Sequence, residues 1–208
     1  MKVLDLLSGM KGWGGPWEEA GHEVIYVDNR ADLNPTFVWD IFEAEPTDLP
    51  WKPDVILASP PCKKFSVTNI NRNWTIDNQP RYPDVQLALD LVYRVRHWIN
   101  VLEPQFFVIE NPRGKLRKLD VLADLERRTV AYCQYGEERM KPTDLWGGFP
   151  PSLVLKPLCK YGDPCHLAAP RGSKTGTQGA AWEIVTKVPE QLSNTIRLAA
   201  EKDFIDKG

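Results

Sequence analysis

Pro60-Pro61-Cys62 follows one apolar run, Asp54 to Ala58, and Glu110-Asn111-Pro112 follows another, Phe106 to Ile109. A thiol and a carboxyl at two strand ends can share one crevice, because open α/β sheets bind ligands at the carboxyl edge of their strands. The pair suits chemistry on an electron-poor ring, in which a thiolate adds and an acid supplies a proton. Free cysteine is more often a small buried hydrophobe. Here two prolines fix the turn and the direction of the thiol, and Lys63 and Lys64 are expected to favour the thiolate. Glu110 follows Phe106-Phe107-Val108-Ile109, so burial is expected to raise its pKa and let it donate a proton; the plainer alternative is a capping or surface acid. Asn111-Pro112 reads as a stiff turn that holds the carboxyl. No histidine has an evident place beside Cys62, which argues against a cysteine hydrolase.

A second site precedes this one. Leu7-Ser8-Gly9-Met10-Lys11-Gly12-Trp13-Gly14-Gly15 follows a short apolar strand, Val3 to Leu7. It is not the dinucleotide fingerprint, since Trp17 stands where the third glycine belongs. Glu18 and Glu19 fall in the first turn of the helix it opens, and carboxylates there repel a pyrophosphate. A ligand bearing an ammonium and a sulfonium, such as S-adenosylmethionine, suffers no such penalty, and Asp5 adds attraction. Asp28, followed by Asn29, ends the next strand, where an acid accepts ribose hydroxyls. Asp40 is placed to read an adenine amino group. The alternative is a tight turn with surface acids.

The elements that must position these groups alternate. Pro16 opens a helix ended by Gly21; Glu23 to Val27 is a strand; Phe37 to Ile41 is a weaker strand or a turn. Ser66 to Asp84 has no apolar periodicity and reads as a functional loop, a candidate lid. Val85 to Leu102 carries an apolar stripe at helical spacing. Leu116 to Arg127 reads as helical, Thr129 to Gln134 and Pro142 to Trp146 as strands, and Pro189 opens a last helix. This order predicts the α/β class, with a doubly wound, mostly parallel sheet. With 208 residues there is room for one such domain, and 42% hydrophobic residues exclude a disordered chain. A net charge of −2 means that any nucleic-acid contact needs a local basic groove. Four irregularly spaced cysteines without a signal peptide fit a reducing cytoplasm, and no apolar run is long enough for a membrane.

These motifs together resemble the DNA cytosine-5 methyltransferases. Asp5-Leu6-Leu7-Ser8-Gly9 with Gly12 resembles the first cofactor motif of that family, and Ser59-Pro60-Pro61-Cys62 with Phe65-Ser66 its nucleophile motif. Glu110-Asn111-Pro112-Arg113-Gly114 resembles its Glu-Asn-Val motif, and Tyr135-Gly136-Glu137-Glu138-Arg139-Met140-Lys141 the motif that supplies an arginine. Order and spacing agree from about residue 3 to 146. The resemblance implies a Rossmann-like methyltransferase fold that uses S-adenosylmethionine and acts on a flipped cytosine in DNA. It implies Cys62, Glu110 and Arg139 as catalytic residues. It also implies Asp5, Leu7, Ser8, Gly9, Gly12, Trp13, Asp28, Asn29, Asp40, Ile41, Pro60 and Asn194 around the cofactor. Leu7, Lys63 and Pro112 depart from the family's usual Phe, Gln and Val.

On this reading residues 1–146 form the catalytic domain, and 147–188 stand in place of a target-recognition domain. Residues 189–208 form a helix that packs back, in a degenerate final motif Gln191-Leu192-Ser193-Asn194. Lys63, Lys64, Ser66, Arg72, Arg113, Arg171 and Lys174 are the expected nucleic-acid contacts, and Arg113, Lys115, Arg117 and Lys118 form a basic cluster. The missing recognition domain leaves room for a homodimer, and also for a weakly catalytic binding protein or an enzyme acting on RNA or free nucleotides. Cys159, Cys165 and His166 invite a metal, but their spacing is irregular and no fourth ligand is evident, so none is expected.

Overall fold

Short aliphatic runs become the strands of one seven-stranded sheet. The computed structural model describes residues 1–160, 162–167 and 186–205. Its strands are β1 (Lys2–Leu6), β2 (Glu23–Asp28), β3 (Phe37–Val38), β4 (Val55–Ala58), β5 (Phe106–Pro112), β6 (Glu126–Ala131) and β7 (Pro142–Gly148), ordered β3-β2-β1-β4-β5-β7-β6. The first five are parallel, and β7 inserts antiparallel between β5 and β6. All four residues of β4 are buried, as a parallel strand covered on both faces requires. The expected α/β architecture is therefore present.

Helices α1 (Gly15–Glu19), α2 (Ile70–Asn73), α3 (Pro83–Leu102) and α4 (Glu190–Asp203) flank the sheet. Helix α3 buries Val85, Val92, Val95, Trp98, Ile99 and Leu102 against Leu4, Leu6, Ile56 and Ile109. It stops where Glu103 turns left-handed (φ 45°) before Pro104. Helix α4 packs Leu192 and Ile196 with Trp13 and Trp17 on the other face, against Val3, Val55 and Val108. Among the described residues no helix is long and apolar enough to cross a membrane.

Four local expectations are corrected. β5 continues through Glu110, Asn111 and Pro112, which pair with Leu145, Asp144 and Thr143; the antiparallel neighbour supplies a ladder where a turn was expected. The stretch from Leu116 to Arg127 is not a helix but two 3₁₀ turns, Lys115–Lys118 and Asp120–Leu122, followed by β6. Leu116, Leu119, Val121 and Leu122 are all buried. Arg117 is also held inward, 2.9 and 2.6 Å from the oxygens of the buried Asp144. Exposed Lys118, Asp120, Asp124 and Glu126 are interleaved with these buried positions, so no single helical face would separate polar from apolar side chains. β6 accordingly starts at Glu126, and Tyr132–Tyr135 is a 3₁₀ turn rather than strand. Finally, the Ser66–Asp84 loop is pinned. It contains α2 and an isolated bridge, Trp74 to Pro80, and the Trp74 indole is buried and donates to the Lys64 carbonyl at 2.9 Å.

Candidate active site

Parallel pairing of Ala58 with Ile109 brings the ends of β4 and β5 side by side. Two further links join the chain beyond them. Asn111 Nδ2 donates to the Pro60 carbonyl at 2.8 Å, and the Lys115 amide donates to the Phe65 carbonyl at 2.8 Å. Gly114 is required at this seam, because a Cβ there would lie 2.3 Å from the Phe65 oxygen. Cys62 and Glu110 are thus carried on one continuous edge, close enough that the carboxylate acts on the thiol. Burial pushes the Cys62 thiol up, Glu110 adds to that shift, and Lys141 opposes it.

Two residues that the motifs did not single out complete this edge. Tyr132, buried at the end of β6, donates its hydroxyl to Glu110 Oε1 at 2.8 Å. Burial and the Glu110 charge push that phenol far up, so it remains a donor. The buried Lys141 holds its ammonium 4.2 Å from the Tyr132 ring centroid. Lys63 is exposed and Lys64 is paired with Asp84. The expectation that those two lysines favour the thiolate is therefore replaced: the cation that does so is Lys141. Its sequence signal was faint, a lysine closing the arginine motif; Tyr132 had none beyond its place at a strand end. Arg139 sits half-buried between Gly136 (φ 96°) and Lys141 and makes no hydrogen bond or ion pair among the described residues. Its turn is closed by the Tyr132 amide, which donates to the Met140 carbonyl at 2.9 Å.

Lys141→Met removes the cation that, together with a backbone hydrogen bond, opposes the rise in the Cys62 pKa. The rate of iodoacetamide alkylation of Cys62 should then follow a profile displaced to higher pH. Superimposable profiles would remove Lys141 from the account.

The glycine loop turns sharply at Leu7 (φ 57°), Gly9 (φ 49°) and Lys11 (φ 57°). Asp28 holds it, accepting the Gly9 amide at 2.9 Å on one oxygen and the Arg30 amide at 3.0 Å on the other. Asp5 accepts the Gly14 amide at 2.9 Å, and burial keeps its pKa well above the usual carboxylate range. Its second oxygen and the Ser8 hydroxyl are buried without a hydrogen-bond partner among the described residues. Such groups are expensive to leave unmatched, and a polar, cationic ligand in this crevice would satisfy them. The residues present therefore fit an S-adenosylmethionine-like group.

Other expected contacts fall into different roles. Trp13 is buried; its indole donates to Ser59 Oγ at 2.9 Å, and its carbonyl accepts from Ser193 Oγ at 2.6 Å. It ties the loop to the nucleophile turn and to α4. Gly12 lies against α4's entry, where a Cβ would be 2.8 Å from the Val188 nitrogen. Asn194 turns along its own helix and accepts from the Arg197 guanidinium at 3.1 and 3.0 Å, while Ser193 meets the loop. Ile41 is core, Asp40 is exposed and accepts the Phe42 amide at 2.9 Å, Asn29 is exposed, and Leu7 and Pro60 are largely covered.

On the nucleic-acid side, Lys63, Lys64 and Arg72 border an open hollow of about 390 Å³ beside the nucleophile turn. Ser66 shares a hydrogen bond with Thr68 at 3.0 Å, and Arg113 is exposed. The basic cluster after Glu110 is split: Lys115 is buried on Asn78 and Arg117 is half-buried on Asp144, leaving Arg113 and Lys118 exposed. Arg171 and Lys174 lie outside the described residues.

Residues 1–121 match the family described as C-5 cytosine-specific DNA methylase. Over 211 residues the chain is 28% identical to a probable DNA (cytosine-5)-methyltransferase of Frog virus 3, covering 92% of this chain and 96% of that one. It is 30% identical over 132 residues to the type II methyltransferase M.FnuDI of Fusobacterium nucleatum, covering 57% of this chain but only 34% of that one. It thus spans almost all of the viral relative and about a third of the bacterial one. Among solved structures, the Entamoeba histolytica methyltransferase EhMeth superposes with a TM-score of 0.54 at 14% identity, covering 75% of this chain and 55% of that one, a likeness of fold.

Proposed function

The chain belongs to the family of C-5 cytosine-specific DNA methylases, and from that premise we propose that Cys62, Glu110 and Arg139 methylate cytosine C5 in DNA through a covalent cysteine adduct. S-adenosylmethionine, when bound at the glycine loop, supplies the electrophilic methyl group. Asp5, Ser8 and Asp28 are the groups of this chain that would hold it.

Cytosine C5 is too weak a nucleophile to take a methyl group unaided. Addition of the Cys62 thiolate at C6 makes C5 enamine-like. Glu110, fixed by Tyr132, holds a proton at N3 so that the ring accepts the electron density. Arg139 pairs with O2 and stabilises the developing charge. Once C5 carries the methyl group, water takes the C5 proton and the Cys62 thiolate leaves C6, which restores the ring. The base reaches this crevice only if it leaves the duplex stack, with the hollow beside Lys63 and Arg72 receiving the flanking strand. The homodimer belongs to the same proposal and is tested by sedimentation with and without duplex.

The observation that carries the proposal is the single edge formed by Cys62 and Glu110, stitched by the Asn111–Pro60 bond beside the glycine loop. Incubation with tritiated S-adenosylmethionine and a panel of duplex DNA, RNA and free nucleotides should label 5-methylcytosine in the DNA. Label confined to RNA or nucleotides would change the substrate. No label with any of them, although the cofactor binds, would favour a binding protein on the same fold.

A further inference from the structure

Cys159, Cys165 and His166 have no evident fourth partner in sequence, and the fold provides one. Cys133, on the 3₁₀ turn after β6, brings its sulfur to theirs, so that one donor atom from each of the four residues lies within 4.8 Å of the others. A tetrahedral zinc ion with its usual bond lengths requires sulfurs about 3.8 Å apart and sulfur to nitrogen about 3.5 Å. The Cys133–Cys165 sulfurs are 3.7 Å apart, and His166 Nδ1 lies 3.4 Å from Cys165 and 3.8 Å from Cys159. Cys133 and Cys159 are closer, at 3.2 Å. Gly162 (φ 93°) lets the chain reverse between Cys159 and Cys165, and the Asp163 amide closes that turn on the Lys160 carbonyl at 3.1 Å. The side-chain amide of Gln134 donates to the Cys165 sulfur at 3.3 Å, an outer bond of the kind that orients a ligand.

We propose that Cys133, Cys159, Cys165 and His166 bind one structural zinc ion. Three soft sulfurs and an imidazole select zinc over hard cations, and four protein donors close the coordination sphere, which suits a structural rather than a catalytic ion. There is a structural reason for an ion here. The chain from 149 to 160 contains no helix or strand; Phe149 and Leu153 anchor its first part in the core, but beyond Lys156 it buries little besides sulfur, Cys133 and Cys159 lying against Ala131, Met140 and Cys165. So small an apolar cluster cannot fix an irregular segment, whereas metal coordination supplies folding free energy directly. The ion would clamp this segment to the turn that carries Tyr132 and leads to Arg139, a join already marked by the Leu167 amide donating to the Glu138 carbonyl at 2.9 Å.

The test is elemental analysis of the full chain purified under reducing conditions. Wild type should carry about one zinc per chain, and Cys133→Ser and Cys165→Ser essentially none, while Cys62→Ser keeps its zinc. Where a variant fails to fold, wild type exchanged into cobalt should show the intense visible bands of a tetrahedral thiolate site. A folded wild type that holds and takes up no zinc, a Cys133–Cys159 disulfide in its place, or zinc retained by Cys133→Ser would each overturn the proposal. None of these results depends on methylation being measured.

Discussion

Cys62→Ala should lose methylation by at least about a thousandfold, because without a group to add at C6 the C5 carbon stays unreactive. Binding of S-adenosylmethionine, measured by calorimetry, should be nearly unchanged. The groups that would hold it, Asp5, Ser8 and Asp28, hang from β1, β2 and the loop between them, and none is bonded to Cys62. A duplex bearing fluorine at C5 should form a denaturant-stable complex with wild type and none with Cys62→Ala, since fluorine cannot leave as the proton does. Residual turnover near the wild-type rate would remove the thiol from the mechanism, whatever the binding result.

Glu110→Gln should produce two opposite effects at once. Methylation should fall by roughly 10²- to 10⁴-fold, the usual worth of a positioned acid, since an amide cannot supply the proton. Alkylation of Cys62 should become easier, its profile moving to lower pH. The sign follows from the charges: the carboxylate raises the thiol pKa, so replacing it with a neutral amide lets the thiolate form earlier. The amide oxygen can still accept from Tyr132, so the fold is expected to survive and the melting curve to match wild type. Unchanged kinetics would assign the proton to another group. An unchanged alkylation profile would mean that thiol and carboxyl do not share a field.

The framework was legible because its signals are local. The burial of β4, the Val85–Leu102 stripe and the strand, glycine loop, helix, strand order each follow from short-range patterning, and the carboxyl edge of a parallel sheet then gathers the motifs. What sequence did not reveal depends on β7. Only because that strand runs antiparallel beside β5 does Glu110 stay on a strand, and only through β6 does Tyr132 reach it. Lys141 outdoes Lys63 and Lys64 although they are nearer in sequence, because proximity along a chain says nothing about which side chain is turned inward. The stretch after Gly114 departs from a helix for the same reason: Arg117 looks like a solvated cation until the buried Asp144 is placed opposite it. Cys133 escaped notice as a candidate ligand because it is 26 residues from Cys159 and joins it only when β6 and the chain beyond β7 are brought together.

The seam at Gly114 and Phe65 has a mechanical corollary. Backbone is bonded to backbone there without room for a methyl group, and the Asn111–Pro60 bond fastens the same two segments a few residues away. The two jaws of the crevice are therefore one casting: a displacement of either carries the other with it, so their spacing is set by the backbone and not by side-chain packing alone.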